Sequence, residues 1–297
     1  MNKRVDIKNY DLPLISIVLI LCSIGAFVIR LVENEGEGLF KKQLIGIMLG
    51  LVIVAIVSFI DYHFMCKMYL LLYVFNIGML LAVKVFGHSL NSSQRWIKIG
   101  PIAFQPSELS KVILIIVLAQ LFCKLNDNIN KWWAILLSIV VAAIPTALIM
   151  NQPDLSSSLV SVFIFTILIF AAGLSYKIIF PVIAIGLPSA AVLFWYVQQD
   201  FQKLLDPYQQ KRILSLLNPE QYGDLMYQQT NSVAAISAGG LYGKFINPSA
   251  ADYRAYHSVP ISESDFIFSV VGEEFGFIGA GVVVILFFLV SVECLLI

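Results

Sequence analysis

Long apolar runs without a single charged residue recur along this chain, and they constrain its fold more than any other feature. A run of about 20 such residues is long enough for a helix to cross the hydrocarbon core of a bilayer. The runs are 12–29, 43–60, 68–83, 112–123, 132–153, 155–176, 178–199 and 275–292. Because 59% of the residues are hydrophobic and only 13% are charged, an ordinary soluble domain is excluded. We predict an all-α polytopic membrane protein with about eight transmembrane helices, in which 1–297 forms a single integral membrane domain.

Two of these runs are informative at their ends. The run 112–123 is too short to cross a bilayer, so its helix is predicted to begin near Ser107 and to draw Glu108 and Lys111 into the membrane. The last run continues apolar to Ile297 without a closing basic cluster. We therefore expect a chain that is cut off at its C-terminus.

Basic residues decide the predicted orientation only at the N-terminus. The short loops carry seven basic residues on each side of the membrane, which favours neither orientation. Lys3, Arg4 and Lys8 precede the first span and favour a cytoplasmic N-terminus, because first helices usually dominate. Seven crossings then place the long polar segment 198–265 on the extracytoplasmic side. The 19 acidic and 19 basic residues cancel, so nothing indicates a nucleic-acid partner.

The four cysteines, Cys22, Cys66, Cys123 and Cys294, lie in or beside apolar runs. None falls in the long polar segment. The sequence therefore predicts neither a disulfide framework nor a metal site built from cysteines.

The long polar segment ends at Asp265, where a helix is predicted to leave water and enter the bilayer. Glu273 follows eight residues later, about two helical turns, so the two acids are predicted to share a face. An acid at this boundary could carry out proton chemistry on a lipid-borne substrate. Alternatively Ser262, Ser264 or Asp265 caps the helix, since helix N-termini favour Ser, Asp and negative charge. The local sequence alone favours the cap.

Between the third and fourth spans, Arg95 and Lys98 flank Trp96. Such a cluster is most often an anchor at the membrane interface. The functional alternative is a clamp for a diphosphate or an anionic headgroup, because a guanidinium binds phosphate oxygens in a bidentate manner.

Glu108 and Lys111 stand three residues apart at the start of a predicted helix that Pro106 or Ser107 opens. Their side chains are predicted to pair on one helical face. The pair is either structural or part of a polar cavity, because ionisable residues within a membrane are often functional. Both interpretations stay open.

Asp154 is the only charged residue between two apolar runs of 22 residues. It predicts a tight outer turn in which the Asp or a following Ser caps the sixth transmembrane helix. A lone acid in such an apolar hairpin is also expected to face other polar groups. In the predicted topology Asp154, Arg95, Glu108, Lys111 and Asp265 all fall on the outer side, and this convergence predicts a polar site there.

Two helices are predicted within the long polar segment. Residues 202–218 have the pattern of an amphipathic helix lying on the surface. Residues 228–236 resemble a short helix that Gly239 and Gly240 end.

Several short motifs occur in a fixed order along nearly the whole chain. They are Gln94-Arg95-Trp96-Ile97, Gln105-Pro106-Ser107-Glu108-Leu109-Ser110-Lys111, Gln152-Pro153-Asp154-Leu155, Pro207-Tyr208-Gln209, Arg212-Ile213, Tyr227-Gln228, Ala238-Gly239-Gly240, Gly243-Lys244, Asp265-Phe266-Ile267-Phe268 and Gly272-Glu273-Glu274 followed by Gly276. Together they resemble the SEDS family (shape, elongation, division, sporulation; the RodA/FtsW/SpoVE type). The motifs at 207–209 and 227–228 resemble the RodA branch more than the FtsW branch. Ten helices are usual in this family, so two would be missing here.

The resemblance implies a peptidoglycan glycosyltransferase that polymerises lipid II on the outer face of the bacterial cytoplasmic membrane, for cell-wall elongation and cell shape. It implies a class B penicillin-binding protein, a transpeptidase, as the partner within an elongation or division complex. Asp265 matches the family's catalytic acid, and Glu108, Lys111 and Asp154 match residues of its cavity.

Other residues complete the predicted site. Arg95 and Lys98 are candidates for binding the substrate diphosphate, and Glu273 and Glu274 are candidates for supporting roles. No set of ligands in the sequence demands a cofactor, although a divalent cation could assist at the diphosphate.

Two alternatives from other classes remain. One is a lipid II flippase, which would need charged residues that reach across the bilayer. The other is a non-catalytic membrane scaffold of the elongation, division or sporulation machinery.

Overall fold

The structure is a computed structural model built almost entirely from helices, as the apolar runs predict. It describes residues 11–33, 38–86, 88–90, 93–99, 102–152, 154–199, 201–205, 207–218, 221–246, 254–260 and 262–296. Its internal packing divides the chain into two compact units. The first unit is Met1–Phe59 with Gln210–Ile297, and the second is Ile60–Gln209. That 1–297 forms a single membrane domain stays a prediction.

Helices and three short strands follow one another along the described residues. In chain order they are α1 (Leu12–Val32), α2 (Leu39–Ser58), α3 (Tyr62–Lys67), α4 (Tyr69–Phe86), β1 (His88–Leu90), β2 (Ser93–Ile99), β3 (Ile102–Phe104), α5 (Pro106–Leu125), α6 (Trp132–Met150), α7 (Leu155–Ala171), α8 (Tyr176–Val197), α9 (Pro207–Leu217), α10 (Gly223–Ala238) and α11 (Ile267–Leu296). Single 3-10 turns lie at Asn126–Asn128 and Ala255–Ser258.

Each of the eight apolar runs lies mainly on a helix: α1, α2, α4, α5, α6, α7, α8 or α11. Within the described residues, α1, α2, α6, α8 and α11 are long and apolar enough to cross a bilayer. Helices α4 and α7 contribute shorter apolar stretches, Tyr69–Val83 and Leu155–Ala171. The number of eight spans therefore stays a prediction, whereas the positions of the helices are confirmed.

The second unit is built around α5, which packs against α4, α6 and α7. Leu114, Leu118 and Phe122 of α5 form a buried cluster with residues such as Ala142 of α6 and Ile169 of α7. Helix α5 begins at Pro106, as the sequence predicts, because proline is tolerated at a first helical position whose N–H would have no partner in the helix. The start of α5 is thereby fixed beside the three strands.

The three strands form an antiparallel sheet in the order β1-β2-β3, which the sequence analysis missed. In its register Ile97 lies opposite Phe104, and Lys98 lies opposite Ala103. The pattern that could have indicated this sheet is the presence of the strand-favouring residues Trp96, Ile97 and Ile99, followed by a Gly-Pro pair. The sheet supplies the backbone that carries Arg95 and Lys98.

In the first unit, α11 packs against α1 and α10. The buried core here combines Val28 of α1, Ala235 of α10 and Val270 of α11 with Tyr256 and Val259 from the segment before α11. Helix α9 begins five residues later than the predicted 202–218, and α10 begins five residues earlier than the predicted 228–236. As predicted, α10 ends just before Gly239.

Helix α11 is broken at Gly276, whose φ of 66° and ψ of −166° are not helical. The break is braced by residues 239–245, which we call the bracing loop. Four hydrogen bonds link the loop to the broken turn: Phe277 N–H to Gly240 O (2.9 Å), Ile278 N–H to Leu241 O (3.3 Å), Lys244 N–H to Glu273 O (3.0 Å) and Phe245 N–H to Glu274 O (2.9 Å). The loop therefore satisfies backbone groups that the break would otherwise leave without partners.

Candidate active site

Asp265 lies in the turn immediately before α11, which begins at Ile267. Its side chain is exposed, and Ser264 Oγ donates a hydrogen bond to its carboxylate at 3.4 Å. Among the described residues, this carboxylate accepts no hydrogen bond from the first turn of α11. The exposed acid is therefore not held in place as a helix cap.

The predicted common face of Asp265 and Glu273 is wrong. Asp265 precedes the first residue of the helix, so helical periodicity does not relate it to Glu273. The Glu273 side chain is fully buried, whereas that of Asp265 is exposed. The two acids therefore have different surroundings.

Asp265 belongs to a segment that we call the strap, residues 254–260 and 262–266. Tyr256 and Val259 of the strap are buried in the core of the first unit. Asn231 Nδ2 of α10 donates to Ser258 O at 3.0 Å. The strap is therefore packed and hydrogen-bonded over residues 256–259.

Glu273 holds the beginning of the strap. Its carboxylate accepts the backbone N–H of Ala255 at 2.6 Å and that of Tyr256 at 2.7 Å. Lys244 Nζ from the bracing loop donates to the same carboxylate and forms an ion pair with it. Both members of the pair are buried, so each charge has its partner within the protein.

Glu274, the next residue, pairs with the first residue of the strap. Arg254 Nε donates to Glu274 Oε1 at 2.7 Å, and the Glu274 side chain is almost fully buried. Burial raises the pKa of Tyr256 to about 12, and the negative charge of Glu274 adds to the effect. Both glutamates therefore bind the strap through their carboxylates. The supporting roles predicted for them stay a prediction.

Lys244 and Arg254 were not predicted to pair with these acids. The pattern that could have indicated them is the presence of two adjacent carboxylates at the start of an apolar stretch, because buried charges need counter-charges. Which cations supply them depends on the tertiary fold, since Lys244 is 29 residues from Glu273 in sequence.

Asp154 lies in the second unit, where it is the N-cap of α7, as predicted. Its carboxylate accepts the Ser157 N–H at 3.1 Å and the Ser157 hydroxyl at 2.8 Å. It also faces other polar groups, since Gln105 Nε2 donates to it at 3.1 Å and Arg95 Nη1 lies 3.9 Å away. The cap and the polar cluster are therefore both present.

This cluster retains hydrogen-bonding capacity. Arg95 Nε and the hydroxyls of Ser107 and Ser110 are buried and have no partner among the described residues. A guanidinium that is ion-paired through one nitrogen still has other N–H groups for an anion. Arg95, whose side chain is 29% exposed, therefore has donors left for an anion.

Glu108 and Lys111 form the predicted pair on one face of α5, with Lys111 Nζ 2.9 Å from Glu108 Oε1. The Lys111 side chain is 20% exposed and that of Glu108 is 58% exposed. An exposed pair of this kind contributes little to stability. The contribution of this ion pair to the stability of the fold therefore does little to explain why the two charges lie here.

Within the described residues, no three His, Cys, Asp or Glu side chains are grouped so that they could hold a metal ion. The involvement of a divalent cation at the diphosphate stays a hypothesis.

The cell cycle protein family FtsW/RodA/SpoVE has a sequence model that matches residues 8–297 of this chain. The chain belongs to this family. The resemblance to the SEDS proteins is thereby confirmed over nearly the whole sequence.

Named members of the FtsW/RodA/SpoVE family match this chain along most of its length. It is 32% identical over 290 residues to the probable peptidoglycan glycosyltransferase FtsW of Wigglesworthia glossinidia brevipalpis, covering 97% of this chain and 72% of that protein. It is 28% identical over 293 residues to the peptidoglycan glycosyltransferase MrdB of Escherichia coli K12, covering 97% of this chain and 76% of that protein. Because FtsW and MrdB match with similar identity, assignment to the RodA branch stays a prediction.

Two solved structures share the fold. A chain from work on the coordination of polymerization and crosslinking by a peptidoglycan synthase complex superposes with a TM-score of 0.77 at 26% identity, covering 96% of this chain and 77% of that chain. The rod shape determining protein RodA of Thermus thermophilus superposes with a TM-score of 0.61 at 21% identity, covering 96% of this chain and 74% of that chain. This protein spans about three quarters of the length of these relatives.

Proposed function

We propose that this protein is a peptidoglycan glycosyltransferase of the bacterial cytoplasmic membrane, which polymerises lipid II into glycan strands for the cell wall. The observation that carries the proposal is Asp265, an exposed carboxylate on a strap that is fixed at the start of an apolar helix. Membership of a family whose relatives are named glycosyltransferases supports it.

Asp265 acts as the general base in the proposed reaction. It accepts the proton of the acceptor sugar hydroxyl as that oxygen attacks the anomeric carbon of the donor. The new glycosidic bond forms while the bond from the anomeric carbon to the diphosphate breaks, and the lipid diphosphate leaves with the electron pair. A direct displacement of this kind inverts the configuration at the anomeric carbon.

Cations stabilise the departing diphosphate in this scheme. Arg95, Lys98 and Lys111 are the candidates, because positive groups that face developing negative charge lower the barrier. Asp154, which accepts a hydrogen bond from Gln105, forms an ion pair with Arg95, and Glu108 orients Lys111 through their ion pair.

A polymerisation assay tests the proposed function. Purified protein, together with its class B penicillin-binding protein partner and lipid II, should yield glycan polymer that is resolved by length on a gel. An intact complex that makes no polymer would indicate the scaffold alternative. Transfer of lipid II between the leaflets of vesicles, without polymer, would indicate the flippase. The solved relative from a peptidoglycan synthase complex supports the use of a partner in this assay.

Reversing the Glu108–Lys111 pair tests whether it binds substrate. The double variant Glu108→Lys with Lys111→Glu keeps an ion pair, so we expect it to insert normally and to polymerise lipid II at about one tenth of the wild-type rate or less, ~1.4 kcal/mol of lost transition-state stabilisation. The matched control is Arg30→Glu with Glu33→Arg, which reverses another i, i+3 pair. Normal polymerisation by the first variant would show that its pair is only structural.

Reporter fusions test the proposed orientation, with the N-terminus in the cytoplasm and 198–265 outside. A reporter joined after Asn218 should give an extracytoplasmic signal, and one joined after Asn126 a cytoplasmic signal. Orientation is set mainly by basic residues near the first helix, which carries three before it. The opposite pair of signals would remove Asp265 from the outer face.

A further inference from the structure

Glu273 accepts several hydrogen bonds within the fold, although it takes no part in the proposed reaction. It is fully buried in α11, and its one carboxylate receives three donors: Lys244 Nζ and the N–H groups of Ala255 and Tyr256. Hydrogen bonds to an ionised acceptor are stronger than neutral ones. A carboxylate that receives two consecutive backbone N–H groups therefore fixes the main chain at that point.

The main chain that Glu273 fixes is the beginning of the strap that carries Asp265. Beyond Tyr256, the strap is held by the hydrogen bond from Asn231 to Ser258 O and by the burial of Val259. At its far end, Phe266 packs against the same core. Asp265 is therefore exposed between two anchored ends, so its position depends on how the strap is seated.

Lys244 fixes Glu273 in turn. Its backbone N–H donates to Glu273 O at 3.0 Å, while its Nζ pairs with the carboxylate of the same residue. This double connection exists because α11 breaks at Gly276 and exposes the Glu273 carbonyl to the bracing loop. The broken helix, the loop and the strap therefore meet at one buried ion pair.

We propose that Glu273 is a positioning residue for Asp265: held by Lys244, its carboxylate fixes the backbone of the strap and thereby aims Asp265 at the acceptor hydroxyl. The inference rests on the proposed role of Asp265 as general base. A displacement of about 1 Å at a reacting group can cost on the order of 10² in rate, so a change at a residue that does not touch substrate can be large.

The first test is Glu273→Gln. The amide has nearly the same shape, but its single oxygen replaces two, and it leaves Lys244 without a counter-charge. We expect kcat for lipid II polymerisation to fall by about 10²-fold with KM for lipid II unchanged, because binding groups are not altered. The matched control is Glu33→Gln, which also removes a carboxylate that pairs with an arginine and accepts a backbone N–H, from Phe40.

A second measurement reports on the strap without reference to activity. Trypsin cleaves after Arg254, and we expect cleavage there to be faster in Glu273→Gln than in the wild type or in Glu33→Gln. Where the single variant inserts poorly because a charge is left unpaired, Lys244→Met with Glu273→Gln removes both charges and the same carboxylate oxygen. The same loss of kcat and the same increase in cleavage are then expected.

The decisive measurement combines Glu273→Gln with Asp265→Asn. If Glu273 acts through Asp265, the double variant polymerises no more slowly than Asp265→Asn alone. Losses that multiply would overturn the inference, and so would wild-type kcat in Glu273→Gln. Full activity in Asp265→Asn would instead overturn the proposed role of Asp265 as general base, and faster cleavage at Arg254 in Glu273→Gln would then show only that Glu273 seats the strap.

Discussion

Asp265→Asn should polymerise lipid II about 10² to 10⁴ times more slowly than the wild type, the usual cost of losing a general base. Asn has the shape of Asp but cannot take up the proton of the acceptor hydroxyl. The Asp265 side chain is exposed, and Ser264 is its hydrogen-bond partner among the described residues, so the substitution should cost little stability. We therefore expect normal insertion and normal binding of the partner protein.

The measurement is the rate and length of glycan polymer from equal amounts of inserted protein. Asp61→Asn is the matched control, because Asp61 is another exposed acid at the start of a helix, where it accepts the His63 N–H. Asn caps helices about as well as Asp, so the control should retain both stability and activity. Wild-type polymer from Asp265→Asn would contradict the assignment of a general base.

Gly276→Ala should prevent stable folding of the first unit. The φ of 66° costs an L-residue roughly 1–2 kcal/mol. In addition, a Cβ would lie 2.4 Å from Gly243 N and 2.6 Å from Leu241 O, and backbone atoms cannot rotate away. Relieving these contacts would open hydrogen bonds of the bracing loop, each contributing about 0.5–1.5 kcal/mol. The sum is a large part of the ~5–15 kcal/mol that stabilises a typical protein.

The midpoint of thermal unfolding in detergent, followed by size-exclusion chromatography, measures this effect. Gly281→Ala is the matched control, since it lies in the same helix and an added Cβ would meet nothing within 4 Å. It should be neutral or stabilising by about 0.5–1 kcal/mol, because alanine favours helices more than glycine does. Equal midpoints for the two variants would contradict the close approach of the bracing loop to α11.

Local sequence patterns were sufficient to predict several features of the structure. The apolar runs placed the long helices because hydropathy and length are properties of a segment by itself. The start of α5 at Pro106 and the cap of α7 by Asp154 also followed, since both depend on residues within one turn. The pairing of Glu108 with Lys111 followed from helical spacing alone.

Other features needed contacts that no local pattern contains. The break in α11 is stable only because the bracing loop, some 30 residues earlier, supplies partners for its backbone groups. The sequence pattern predicted Asp265 and Glu273 on one helix. In the structure the strap folds back, and the Glu273 carboxylate accepts the backbone N–H groups of Ala255 and Tyr256.

By itself, then, the sequence determined the helical membrane architecture, the family and the acids on which the proposed chemistry depends, because these reside in composition, spacing and motif. The tertiary structure alone decided which acid is exposed and which is buried. That choice depends on where a buried carboxylate finds its counter-charge and its N–H donors. For Glu273 they are Lys244, Ala255 and Tyr256, all brought to it by the fold.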